Sequence, residues 1–314
     1  MHTFKTVGIV IVDFHGFDQT ITLLESLAKQ KPPGEFKIYL VIADTTLQEA
    51  TKQMQQFKSS VKLSNIAYLP IKNNGFSANN NTGIKEALRD GCDAVLMINN
   101  DTTVPTDFLS KLFKSANQYF EKHGLAIVCP KIYFSPGKEF HYESYTPEER
   151  GKVLWYGGGV VSWKYLSAWH AHVNEVDLGQ ADKISQTDFA TFCASLIPRD
   201  VFKITGFLDE KYFLYFEDTD YSLRAQKKGI PTVYLPETHL WHDNAGSSGG
   251  SGSALQKYYQ ERNIVRFMLK HAPMRFKITT IRKLIQMLFS KDAVIREAGW
   301  DACLMRYHAR KEKK

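Results

Sequence analysis

Three apolar runs in the first third of the chain each end on an aspartate: VGIVIVD at Asp13, KIYLVIAD at Asp44 and AVLMINND at Asp101. Continuous β-branched and aliphatic runs of this length are strands buried on both faces, which places them in a parallel sheet rather than a one-sided antiparallel one. The intervals support this. Ile21, Leu24 and Leu27 fall at helical spacing after the first run, and a polar helical stretch reaches Gln56 after the second. A shorter strand, 65–71, and a helix to about Arg89 precede the third. Strands alternating with helices predict an α/β fold, Rossmann-like, with a mostly parallel central sheet flanked by helices. In such sheets ligands bind beyond the carboxyl ends of the strands, where these aspartates stand.

Further along, Pro105 suits the first turn of a helix that Gly124 would end, and Pro136 to Gly159 reads as a long insertion or mobile segment. LIP, 196–198, reads as a strand, with a short helix from about Arg199. The segment 244–253, NAGSSGGSGS, has a linker's composition. It reads either as a linker or as a loop that orders around a ligand. Beyond it the tail is helical, basic and aromatic. The expected division is a catalytic domain over 1–245, with halves of about 1–104 and 105–245, followed by a flexible loop and basic helical extension over 246–314.

Composition narrows the function classes. The net charge of +7 favours anionic partners without choosing among them. Four cysteines without CxxC spacing argue against a zinc cluster and a disulfide framework. The first apolar run spans six residues, Val7 to Val12, and lacks a signal-peptide cleavage site. No segment reaches the roughly 20 apolar residues of a bilayer span. The expected location is the cytoplasm, including the inner face of the membrane.

Four clusters could carry chemistry. Asp13 and Asp44 could accept hydrogen bonds from a ribose or base, or could cap the next helix. NNGFSANNNTG, Asn73 to Gly83, carries five asparagines and a glycine that permits close backbone approach; it is neither a Walker A loop nor GxGxxG. LMINND delivers Asp101 beside two amides, oxygen chemistry that suits Mg²⁺ or Mn²⁺, and a turn is the structural alternative. YFLYFEDTDYSLR places Glu217, Asp218 and Asp220 behind an aromatic lead-in. They could open a helix, or one could be a general base with its pKa raised by apolar walls and like charge. His242, in WHDNAG, is a candidate metal ligand through neutral imidazole.

In this order, VGIVIVDFHG, the strand ending IAD, NNGFSANNNTGI, VLMINNDTTV, GFLDEKYFLYFEDTDYSLRAQKKG, WHDNAGSSGG and YYQERN resemble the inverting glycosyltransferases of family 2. The rhamnosyltransferase-like bacterial members are nearest in pattern, and the likeness runs from about Val7 to His271. It implies a GT-A fold, a nucleotide-diphospho-sugar donor such as dTDP-rhamnose or a UDP-hexose, and a hydroxyl acceptor on a glycan or lipid-linked sugar, as in surface polysaccharide synthesis. Carried over residue by residue, Asp13, Phe14, Asp44, Asn73, Gly75, Asn81, Asn100 and Asp101 would form the donor pocket. Asp101 and His242 would hold Mg²⁺ or Mn²⁺, and Asp218 would be the base. Glu217, Asp220, Trp241 and Arg262 would support the site or its acceptor side. Two departures stand out: Ala43 occupies the place of the usual acid on the second strand, and the metal motif has one carboxylate, preceded by Asn99 and Asn100.

Rival readings are a sugar nucleotidyltransferase, which would want a basic Gly-rich triphosphate loop that VDFHGFDQT does not offer, and a catalytically inactive module of the same fold. A nucleic-acid binder fits the charge but not the asparagine loop or clustered acids, so nucleic acid is not an expected partner. For the basic tail, a peripheral membrane contact, packing on the core and a homodimer contact stand as alternatives.

Overall fold

The computed structural model describes residues 4–243, 252–307 and 309–310. The linker-like segment 244–253 therefore lies mostly outside the described residues. The chain begins with β1 (Thr6–Asp13), α1 (Phe17–Ala28), β2 (Glu35–Asp44), α2 (Leu47–Ser60), β3 (Ile66–Lys72), α3 (Phe76–Arg89) and β4 (Ala94–Ile98). The four strands pair in parallel in the order β3-β2-β1-β4. Every residue of β4 is buried, as its continuous apolar run requires.

The second half begins with β5 (Thr102–Thr103), α4 (Phe108–His123), β6 (Ile127–Phe134), β7 (Leu154–Tyr156), β8 (Gly159–Ser162), β9 (Ser167–His170), β10 (Ser185–Gln186) and β11 (Ala194–Pro198). It continues with α5 (Arg199–Thr205), α6 (Glu217–Gln226) and β12 (Thr232–His242). β11 runs antiparallel between β4 and β6 and joins the two halves into one sheet of order β10-β12-β6-β11-β4-β1-β2-β3. β12 is parallel to β6, and its last two residues pair antiparallel with β5. That pairing sets His242 across from Thr102, next to Asp101. β8 and β9 form a separate hairpin.

Several local expectations shift. α4 starts at Phe108 rather than at Pro105; Pro105 instead accepts the Phe108 N–H through its carbonyl. Gly124 does end that helix, at φ 84°. The 136–159 insertion is partly regular, because β7 adds to the sheet beside β6. The strand and helix expected around 196–199 are present as β11 and α5.

Three helices follow: α7 (Ala254–His271), α8 (Met274–Leu288) and α9 (Ala293–Cys303). They form a second apolar cluster, in which Tyr258, Tyr259, Phe267, Met268, Met287 and Ala298 pack with Tyr212 and the half-buried Phe213 to Phe216. The tail is thus packed against the segment that leads into α6.

Candidate active site

One cavity of about 620 Å³ opens at the carboxyl ends of β1 and β4. Of the residues singled out from sequence, Phe14, Asn73, Gly75, Asn100, Asp101, Glu217, Asp218 and His242 line it. They come from five places in the chain. The other candidates do not line it, and each has a visible structural task.

Asp13 is fully buried and accepts from Thr20 Oγ1 at 2.6 Å, pinning β1 to α1, with Asn100 Nδ2 3.4 Å away. Asp44 takes the Thr45 N–H at 2.6 Å, while the α2 cap is Thr46, which accepts from Glu49. Neither aspartate is itself a helix cap. His15 Nε2 lies 3.7 Å from Asp44. Asn81 exhausts its amide on the far side of α3, donating to Leu208 O and Glu210 and accepting from Leu208 N. Trp241 alternates away from His242 and donates to Gly151 O at 2.9 Å. Arg262 is buried against the rings of Tyr258, Tyr259 and Tyr307 and bonds Asn263.

Asp220 separates clearly from its neighbours. It is fully buried and meets His271 Nε2 at 2.7 Å, Lys270 Nζ at 2.7 Å and Arg224 Nε at 2.8 Å. Burial pushes its pKa upward, but these cationic and hydrogen-bonding partners win and hold it well below the usual carboxylate range. It ties α6 to α7.

Glu217 and Asp218 occupy the first turn of α6, entered through Tyr215 and Phe216 at φ 68° and 71°. Two consecutive bulky residues in the left-handed region are strained, at about 1–2 kcal/mol each. Asn263, on α7, donates both amide hydrogens to this turn, to Leu214 O at 2.7 Å and Tyr215 O at 2.9 Å. Gly75 fits against the same segment: at φ 96° its position would set a Cβ 2.7 Å from Phe213 O, and Phe76 N donates to that oxygen at 2.7 Å. Only glycine meets both conditions.

Burial is the main cause that pushes Asp218 up to about 6, against hydrogen bonds from Thr219 that favour its ionised form. Burial and the neighbouring Asp218 raise Glu217 well above the carboxylate range. Both shifts point the same way, and the two carboxyls titrate as a pair.

Asp101 Oδ1 is buried 3.2 Å from His242 Nε2, without an aligned hydrogen bond. Burial raises the Asp101 pKa, but the nearby imidazole outweighs it and leaves the carboxyl below its ordinary value. Among the described residues no group of three His, Cys, Asp or Glu could hold a metal. One carboxylate and one imidazole fit a hard divalent cation that takes its remaining ligands from water and a diphosphate.

The opposite wall was not anticipated from sequence. Trp155, Trp169, His170 and Phe189 come from β7, β9 and the loop before β11, while Gln260, Glu261 and Lys283 come from α7 and α8. Burial drives the His170 pKa down to about 4, and its Nδ1 lies 3.0 Å from Trp155 O. This ring is neutral at ordinary pH. YYQERN could have pointed to Gln260 and Glu261; scattered aromatics within an irregular insertion carry no such pattern.

Comparison with known proteins agrees with this geometry. The chain is 23% identical over 235 residues, 71% of its length and 69% of the relative's, to the dTDP-rhamnosyl transferase RfbF of Shigella flexneri. It is 25% identical over 231 residues, 70% of its length and 68% of the relative's, to the low-salt glycan biosynthesis hexosyltransferase Agl10 of Haloferax volcanii. Among solved structures, GalNAc-T7 with UDP, GalNAc and Mn²⁺ superposes with a TM-score of 0.61 at 15% identity. That match covers 96% of this chain and 55% of the other. S. aureus TarS 1-349 in complex with UDP-GlcNAc gives 0.52 at 14% identity, covering 95% and 79%. These structural neighbours are GT-A fold glycosyltransferases, so the two-part sheet is a GT-A sheet. Residues 9–204 match the family model "Glycosyl transferase family 2". The chain belongs to glycosyl transferase family 2.

Proposed function

We propose that the cavity binds a nucleotide-diphospho-sugar and that Asp218 is the general base of an inverting transfer. The observation that carries this reading is the convergence of Asp101 with His242 and of Asp218 with Glu217 on one cavity of about 620 Å³, large enough for such a donor. Phe14 borders the base. Asn73, Gly75 and the start of α3 border the diphosphate, where the helix N–H groups favour negative charge. Asp101 and His242 would hold Mg²⁺ or Mn²⁺, and that cation, when bound, offsets the charge of the departing diphosphate.

Asp218 accepts the proton of the acceptor hydroxyl. The freed oxygen forms a bond to the anomeric carbon from the face opposite the phosphate, and the bond from that carbon to the phosphate oxygen breaks. Configuration inverts, the proton resides on Asp218, and the nucleoside diphosphate leaves with the bonding pair. Glu217, whose carboxyl is pushed up by burial and by Asp218, lies beside the base. The aromatic wall of Trp155, Trp169 and Phe189 faces the acceptor sugar.

The likeness to a dTDP-rhamnosyl transferase, RfbF, and a hexosyltransferase, Agl10, supports a hexosyl or rhamnosyl donor. dTDP-rhamnose is the first choice, with UDP-hexoses next, and the acceptor is a glycan or lipid-linked sugar in surface polysaccharide synthesis at the cytoplasmic face of the membrane. The test is a thermal-shift and transfer screen of nucleotide sugars with and without Mn²⁺. Metal-dependent stabilisation by one donor, with release of its nucleoside diphosphate on adding acceptor, is the expected result. Absence of any metal-dependent binding across dTDP, UDP and GDP sugars would overturn the reading.

A further inference from the structure

α8 carries Met274, Ile278, Ile281 and Ile285, with Phe289 just past its end, and each side chain is at least half exposed. At 100° per residue these positions fall within an arc of roughly 80° along the outer side of the helix. The opposite side is covered: Thr280 and Met287 are buried, and Phe276 and Leu284 pack into the second apolar cluster. The apolar stripe is therefore a solvent-facing surface of a helix already anchored on its inner side.

Charge decides what covers it. Arg275 and Arg282 flank the stripe on one edge and Lys277 flanks it on the other, and 274–291 contains no aspartate or glutamate. A second copy of the same face would bring these cations against themselves. A bilayer with anionic headgroups accepts both parts at once, acyl chains for the stripe and phosphates for the flanks. Among the described residues no helix is long and apolar enough to cross a membrane, so the contact lies in the plane of the surface.

We infer that the outer face of α8 docks the enzyme on an anionic lipid surface. The inference deepens the proposed function and rests on it in one respect, the acceptor. Lys283 lines the cavity from the inner side of α8, paired with Glu261 at 2.7 Å. The catalytic cavity thus lies about one helix diameter, roughly 10 Å, behind the docked face. An acceptor sugar held by a lipid-linked diphosphate is within that reach.

The test is co-sedimentation of the full chain with vesicles of pure phosphatidylcholine and of phosphatidylcholine with 30% phosphatidylglycerol. Wild type should pellet with the anionic vesicles and lose at least tenfold in binding as salt rises from 50 to 500 mM. Ile281→Glu with Ile285→Glu should reduce binding by tenfold or more, with an unchanged circular dichroism spectrum and unchanged nucleotide-dependent thermal shift. Arg275→Glu with Arg282→Glu should abolish the preference for anionic vesicles. Failure of wild type to pellet, or equal binding by the isoleucine variant, overturns the inference. A concentration-dependent dimer that these substitutions dissolve does so too, because a second copy would then cover the face. Vesicle binding reads the docking without catalysis, and nucleotide-dependent thermal shift reads the site without lipid, so failure of either is separable.

Discussion

Asn263→Ala offers the sharpest test of how this site is built. The buried amide donates two hydrogen bonds, of 2.7 and 2.9 Å, to the carbonyls of Leu214 and Tyr215. Those carbonyls belong to the turn whose next residue, Phe216, shares the left-handed conformation of Tyr215. Removing the donor takes both hydrogen bonds from the turn, at about 1–3 kcal/mol each. Relaxation of the turn returns part of its strain, about 1–2 kcal/mol per residue. The net loss expected is about 2–4 kcal/mol in urea unfolding. Because the turn delivers Asp218, kcat should fall about 10²-fold, the effect of a shift near 1 Å in a reacting group. Initial rates at saturating donor and acceptor, taken where circular dichroism shows the variant folded, separate this from simple unfolding. Asn263→Asp, which presents oxygen to both carbonyls, should be at least as damaging. A loss below about 1 kcal/mol with unchanged kcat would refute the reasoning.

Asp218→Asn should cost about 10²–10⁴-fold in kcat while leaving donor affinity intact, and the wild-type rate should rise with pH through about 6 and then level off, as a base that must ionise requires. The same raised pKa means that its ionisation opposes folding: the stability tied to its neutral form is present below about 4 and lost as pH rises through about 6. Asp218→Asn should therefore melt higher than wild type near pH 8 and equal it near pH 4. Asp220→Ala should destabilise by about 3–5 kcal/mol, because Lys270 and Arg224 lose their buried counter-charge and His271 its hydrogen-bond partner. Its partners lower the Asp220 pKa, so the wild-type contribution is present above the ordinary aspartate value of about 4 and the deficit should shrink on acidification below it. Gly75→Ala should cost about 2 kcal/mol or more and weaken donor binding, since it demands positive φ and forces a Cβ against Phe213; calorimetric titration with a nucleoside diphosphate reads the second effect.

By itself the sequence determined the parallel half of the sheet and the identity of its strand ends. Local periodicity and turn chemistry suffice for both, because each buried strand is an uninterrupted apolar run followed by polar residues. It likewise pointed to Asp101, His242 and Asp218, whose neighbours in the chain form recognisable motifs. The residues alone left Asp218 and Asp220, two positions apart on the same helix turn, open, and only the family resemblance chose Asp218. In the structure α7 treats them differently: Lys270 and His271 engage Asp220 and its pKa falls, while burial raises that of Asp218. Asp13, Asp44 and Asn81 look equally like ligand-binding residues in sequence, and only packing shows what engages them. The tail is the largest gain: its basic, aromatic composition left membrane contact, core packing and a dimer contact open, and Asn263, Gln260 and Lys283 make it a clamp and wall of the cavity. Contacts between residues about fifty positions apart leave no local periodicity, so the tertiary structure alone could assign them.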